Sequence, residues 1–214
     1  MKKTMASACL LALSALSAAQ ASIVTYETGF STAAAQSSAA AYLSTVKTAL
    51  STGKNSAKVS SWDNLSNNTV FHNSSNSNVA SLTTIDFFVS ASQAGSWSLR
   101  SGVDFGKGGA MFLDGQALGF SSADMWWANS YANTSGIFQF SNINLSAGQH
   151  KLELVGLESC CDGGQQGQFS IKGAGYQTFS NFDGLGNQVP EPASLALLGL
   201  AFTAMGLSGG RRRR

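Results

Sequence analysis

The sequence predicts a mainly β protein, an antiparallel β-sandwich with one short N-terminal helix and a C-terminal hydrophobic helix. Three observations predict it. From Leu82 onward the chain breaks into short runs of β-branched and aromatic residues separated by Gly, Asp, Asn and Ser. Only one segment of the body carries helical periodicity, so the helical crossovers that a parallel sheet needs are missing. Near the end, Ala193 to Gly210 is an uncharged stretch of 18 residues, about the length that crosses a ~30 Å hydrocarbon core as a helix.

Taken in order, Lys2 and Lys3 precede a short apolar run, Cys9 to Ala19, and Ala19-Gln20-Ala21 supplies small residues for cleavage after Ala21. Residues 1–21 therefore read as a signal peptide. Residues 22–80 read as a helix and a polar loop region, poor in large apolar side chains. Within it, Leu43, Val46 and Leu50 fall on one face of a helix from Ser37 to Leu50, which Gly53 is placed to stop. Ser60 to Ala80 is crowded with Ser and Asn, which favour turns, and reads as loop with a short strand or two.

Residues 81–180 read as the sandwich. Strands are expected at Leu82 to Ala91, Gly95 to Val103, Ala110 to Leu113, Gly136 to Leu145, Gln149 to Leu157 and Gln168 to Lys172. Asp114-Gly115 and Ala147-Gly148 mark tight turns, and Leu152, Leu154 and Gly156 share one strand face. Trp62 and Trp97 are expected in the core. Residues 181–188 read as a linker and 189–214 as a sorting and anchor segment.

Between Ser22 and Val189 there are seven Lys and Arg against ten Asp and Glu, a net charge of about −3. No basic cluster remains to grip phosphates, so nucleic acid is not an expected partner. The 168 residues of this body are enough to bury a core as one domain.

Pro190-Glu191-Pro192, the apolar span and Arg211, Arg212, Arg213 and Arg214 resemble the PEP-CTERM sorting signal of Gram-negative bacteria. Guanidinium charge stays in the cytoplasm, so the body is left outside. The resemblance implies an inner-membrane anchor during sorting, removal of the tail by an exosortase-type enzyme, and delivery to the cell surface or extracellular matrix. Gly95 to Leu99, Asp104 to Gly109, Ala110 to Gly115 and Leu145 to Leu154 are similar to the anthrax protective-antigen-type, jelly-roll-like sandwich. That family is often found in glycan-binding and adhesive proteins. Cys160-Cys161-Asp162-Gly163, with Asp104-Phe105-Gly106 and Asp124 to Trp127, also resembles the CCXG group of PEP-CTERM proteins, which implies a surface or matrix protein and names no ligand.

Cys9 leaves with the signal peptide, so the mature chain has two adjacent thiols. Three readings stay open: a vicinal disulfide between Cys160 and Cys161 that shapes a local loop, thiols packed without function, or metal binding or pairing with another chain. Consecutive Cα atoms lie about 3.8 Å apart, below the usual disulfide range, so such a bridge would be strained and readily reduced. Lectins of the protective-antigen type hold calcium with two consecutive aspartates, but this chain has Asp104-Phe105. Asp114, Asp124 or Asp162 could supply the missing oxygen, though Asp before Gly is first of all turn chemistry.

Adjacent Trp126 and Trp127 on a strand face opposite sides. Packing of both rings is the expectation. An exposed indole is the alternative, a platform for a sugar with Asn129, Asn133 and Gln139 as hydrogen-bonding neighbours. The candidate ligand-binding residues are Asp104, Asp114, Asp124, Trp126, Trp127 and Asp162, and the candidate ligand is extracellular polysaccharide. Evidence for an enzyme is thin. There are two histidines, His72 and His150, the latter beside the Ala147-Gly148 turn where a surface strand end is expected, and no nucleophile-elbow spacing or phosphate loop occurs. The reading is a non-enzymatic glycan-binding or structural module, and the alternative is a secreted hydrolase of matrix polysaccharide with a pair of carboxylates.

Overall fold

A computed structural model of the protein describes residues 21–72 and 76–186. The predicted signal peptide, the Pro-Glu-Pro motif, the C-terminal hydrophobic helix and the arginine tail lie outside the described residues. Among the described residues no helix is long and apolar enough to cross a membrane.

The chain order is β1 (Ile23–Phe30), α1 (Ala39–Thr52), β2 (Lys54–Val59), α2 (Asn67–Phe71), β3 (Val79–Val89) and β4 (Gly95–Gly102). It continues with β5 (Asp104–Phe105), β6 (Gly109–Leu113), β7 (Gln116–Ser121), β8 (Met125–Trp126), a 3-10 turn at Thr134–Gly136 and β9 (Ile137–Leu145). The last strands are β10 (Gly148–Leu157), β11 (Gln166–Ile171) and β12 (Gln177–Thr178). One sheet runs β2-β1-β3-β10-β6-β7, a second runs β12-β11-β4-β9, and β5 pairs with β8 alone. Every ladder is antiparallel, as the sequence predicts.

The two-residue side-chain period divides the six-stranded sheet between two cores. Ile85, Phe87, Met111, Leu113, Leu152 and Leu154 face the main core, where they meet Trp97, Leu99 and Phe169 of the second sheet. Their neighbours Leu82, Ala110, Phe112, Val155 and Leu157 face the other way, onto Tyr42, Val46, Ala49 and Leu50 of α1. Ala110 to Leu113 is apolar throughout because both of its faces are covered. Within the main core Trp62, Phe179, Phe169, Trp97 and Phe87 form a continuous aromatic series with centroid separations of 4.8–6.2 Å. Each fully buried Phe of this series contributes about 1.5–3 kcal/mol.

The helix forms where its periodicity places it: Ser38 caps the N-terminus, its Oγ accepting from the Ala41 amide at 3.2 Å, and Gly53 caps the C-terminus. The polar loop expected in the rest of residues 22–80 is corrected. This segment supplies β1, whose Val24, Tyr26 and Thr28 are buried, and the mostly exposed edge strand β2, and residue 80 falls inside β3. β2 (KNSAKV) has no apolar alternation to announce it; its ladder with β1 makes it a strand, and its lysines suit an edge that must not pair further. The expected linker at 181–188 is also corrected at its start. Leu185 is fully buried in the main core, the Phe88 amide donates to its carbonyl, and the Ser22 amide donates to Asp183 Oδ1 at 3.1 Å.

Candidate functional site

β5 and β8 form a two-residue ladder in which Asp104 lies opposite Trp126 and Phe105 opposite Met125. Phe105 anchors the ladder: it is buried, and its ring occupies the space where a Cβ on Gly109 or Gly156 would lie, within 2.8 Å and 2.2 Å of it. The β10 glycine read from the sequence as sharing a face with Leu152 and Leu154 thus makes room for this ring. Strand alternation then sends the two tryptophans opposite ways.

Trp127 is 4% exposed and Trp126 is 60% exposed, so the expected packing of both rings is corrected to one. The Trp127 ring lies flat against Gly102, where a Cβ would come within 2.1 Å of it, and its Nε1 donates to the Gly164 carbonyl at 2.7 Å. Its amide donates to the Val103 carbonyl. The Trp126 backbone is held from outside: its carbonyl accepts from Asn133 Nδ2 at 2.8 Å and Ser135 Oγ at 3.1 Å. An exposed indole on a fixed backbone is the result.

Behind this ladder lies the loop from Glu158 to Gly164. Glu158, which sequence reasoning missed, is buried; its Oε2 accepts from the Gly106 amide at 2.9 Å and its Oε1 from the Ser159 and Cys160 amides at 2.6 and 2.8 Å. Asp162 is buried too and accepts from the Asn67 amide at 2.5 Å. Asp104 accepts from the Gly163 amide, and a Cβ on Gly163 would fall 2.2 Å from its Oδ2, so only glycine lets the loop approach so closely. Burial pushes the Glu158 carboxyl up to about 7 and Asp162 up to about 6, against the pull of their amide donors, and the Asp104 charge pushes both the same way. Asp104 is itself raised, by burial first and by Asp124 as well. The one sequence sign of Glu158 was its place: a charged residue closing the apolar run Leu154 to Leu157, two positions before Cys160.

Residues 188–214 match the PEP-CTERM protein-sorting motif. The chain carries a PEP-CTERM sorting signal. Its body is similar in structure to a PA14 sugar-binding domain from an RTX adhesin, at 15% identity and a TM-score of 0.50, covering 76% of this chain and 96% of that one. It also overlaps the PA14 domain of the antifreeze protein MpAFP (8% identity, TM-score 0.47, 74% and 87% covered). A further overlap is with the epithelial adhesin 9 A domain from Candida glabrata, solved with Galb1-3GlcNAc (9%, 0.44, 75% and 88%). No curated protein matches the chain. The adhesin likeness establishes the fold, a PA14-like β-sandwich.

On this PA14-like frame, Asp104, Asp124, Trp126, Asp162 and the cysteine pair gather around one ladder and one loop, with Trp127 beneath. Asp114 is elsewhere. It sits in the tight β6–β7 turn, with φ of 51° and Gly115 at 78°, and its carboxylate accepts from the Lys151 amide at 2.8 Å and meets His150 Nδ1 at 2.7 Å. The turn reading holds for Asp114. Calcium does not fit the ladder: the position after Asp104 is the buried Phe105, Glu158 and Asp162 are engaged by amides, and among the described residues no three Asp, Glu, His or Cys side chains converge on one point. Cys160 and Cys161 stand as separate, exposed thiols, with Cys161 at φ 75°. The Cys160 thiol is pushed up, first by its hydrogen bond to Cys161, which favours the protonated form.

Proposed function

We propose that this protein is an exported, non-enzymatic glycan-binding module of the cell surface or extracellular polysaccharide, and that it holds sugar at Trp126. The sorting motif supports export, with an exosortase-type enzyme and transient inner-membrane anchoring as the route. One observation carries the binding reading: an indole 60% exposed on a backbone pinned by Asn133 and Ser135, beside the Asp104 and Asp124 carboxylates. An indole face stacks on the apolar face of a pyranose, and the acids accept hydrogen bonds from its hydroxyls. The PA14 neighbour from an adhesin, described as sugar-binding, agrees with this reading. The hydrolase alternative is not favoured, because Glu158 and Asp162 are buried and engaged by backbone amides rather than open to substrate.

In the oxidising space outside the inner membrane, Cys160 and Cys161 close into a vicinal disulfide that stiffens the loop behind the ladder. A glycan array with the exported protein tests the whole reading. Native protein is expected to retain a subset of glycans, and Trp126→Ala to lose them while melting at the native temperature. Absence of any bound glycan, or equal binding by Trp126→Ala, would sink it.

A further inference from the structure

Arg100 of β4 lies on the outer face of the four-stranded sheet, and its guanidinium is sandwiched between two rings. The guanidinium carbon is 3.7 Å from the Tyr131 centroid and 3.7 Å from the Tyr176 centroid. One edge is tied down, since Nε and Nη2 both donate to Gln168 Oε1, at 2.8 and 2.5 Å. Gln168 Nε2 in turn donates to Gln166 Oε1, and Gln166 Nε2 donates to Asp63. The acid of this network is thus engaged by an amide and not by the arginine. Lys47, Lys54 and Lys151 each pair with a carboxylate, whereas Arg100 has no ion-pair partner among the described residues.

A half-buried guanidinium without a counter-ion is costly to hold, and rings on both faces leave approach only in its own plane. Its Nη1, unbonded among the described residues, and the second N–H of Nη2 lie in that plane as two parallel donors, the fork that meets both oxygens of one carboxylate. The same sheet face carries exposed partners for hydroxyls: Gln139 directly opposite Arg100, and Ser96 opposite Asn144 farther along. We propose that Arg100, framed by Tyr131 and Tyr176, is a second binding site that takes the carboxylate of a uronic acid residue in an acidic polysaccharide. The site is separate from Trp126 and stands whether or not that residue holds sugar.

Arg100 is the only arginine between Ser22 and Val189, so its side-chain Nε–H resonance can be followed in the native exported protein without a variant. Titration with galacturonate is expected to move that resonance, with the shift lost at high salt, while galactose leaves it unmoved and acetate moves it less. In parallel, retention on polygalacturonate is expected to fall at least about tenfold for both Arg100→Gln and Arg100→Lys, because an ammonium lacks the planar fork, and to be unchanged for Lys58→Gln, which removes an exposed charge on the edge strand β2. A resonance indifferent to galacturonate, an equal response to galactose or acetate, or a loss of retention no larger for Arg100→Gln than for Lys58→Gln would overturn the proposal.

Discussion

Truncating each of the adjacent tryptophans is expected to give opposite results. Trp127 is 4% exposed, and a buried ring of its kind removes about 150–250 Å² from water. At about 25 cal/mol per Å² that area corresponds to about 4–6 kcal/mol, in line with the ~3–5 kcal/mol that Trp→Ala changes cost in cores. The lost Nε1 bond to the Gly164 carbonyl adds about 1 kcal/mol. Adding that bond to the ~3–5 kcal/mol mutational range, Trp127→Ala should remove about 4–6 kcal/mol, a large part of the ~5–15 kcal/mol a domain has in all. Trp127→Phe keeps most of the ring and should lose about 1–2 kcal/mol, chiefly the hydrogen bond. Trp126→Ala, at 60% exposed with its backbone still held by Asn133 and Ser135, should stay within about 0.5 kcal/mol of native. Urea unfolding followed by far-ultraviolet circular dichroism measures all three. If Trp126→Ala costs as much as Trp127→Ala, the alternation argument for this ladder is wrong.

Glu158 is raised from its ordinary 4.5 to about 7 by burial, so the fold favours its protonated form; that contribution is full below about 4.5 and is lost as pH rises through about 7. The melting temperature is expected to fall across that window, with Asp162 contributing between 3.8 and about 6, and Glu158→Gln should flatten the upper half; an unchanged slope would refute the assignment. Gly167→Ala would place its Cβ 1.9 Å from the buried Trp62 ring and should cost about 1–3 kcal/mol or more in urea unfolding, whereas Gly175→Ala, with nothing within 4 Å, should be neutral. Cleavage after Ala21 would turn the Ser22 amide, 3.1 Å from Asp183 Oδ1, into an ammonium, so Asp183→Asn should lower the melting temperature more in cleaved than in uncleaved protein. Native protein recovered outside the cell should be about 2 Da lighter than after reduction, the mass of the two hydrogens lost at Cys160 and Cys161.

The fold was legible wherever the pattern of side chains repeats the geometry of the backbone. The β10 residues Leu152 and Leu154 alternate, Asp114-Gly115 supplies the positive φ of a hairpin turn, and Gly53 ends the helical stripe of Leu43, Val46 and Leu50. What stayed hidden lacks such a signature. β2 has no buried large side chain and is a strand because β1 offers it a free edge. α2 depends on a reciprocal cap between Ser66 and Thr69, which looks like any other Ser- and Asn-rich stretch until the chain closes over it.

The site was legible in part for a related reason. Adjacency alone separates Trp126 from Trp127, but the inward place of Trp127 depends on Gly102, distant in sequence, where a side chain would run into its ring. Glu158 was missed because its role is set by three amides, two of them in the loop that follows and one, from Gly106, far back in the chain. Those bonds give the cysteine loop its physical meaning. The same carboxylate holds the Cys160 amide and the turn after Asp104, while Gly163 closes onto Asp104 itself. A change of covalent state at Cys160 and Cys161 must therefore be felt first at Asp104, the residue paired across the ladder with Trp126. Reduction of the proposed disulfide should thus alter sugar binding at Trp126 and leave Arg100, on the outer face of the other sheet, unaffected.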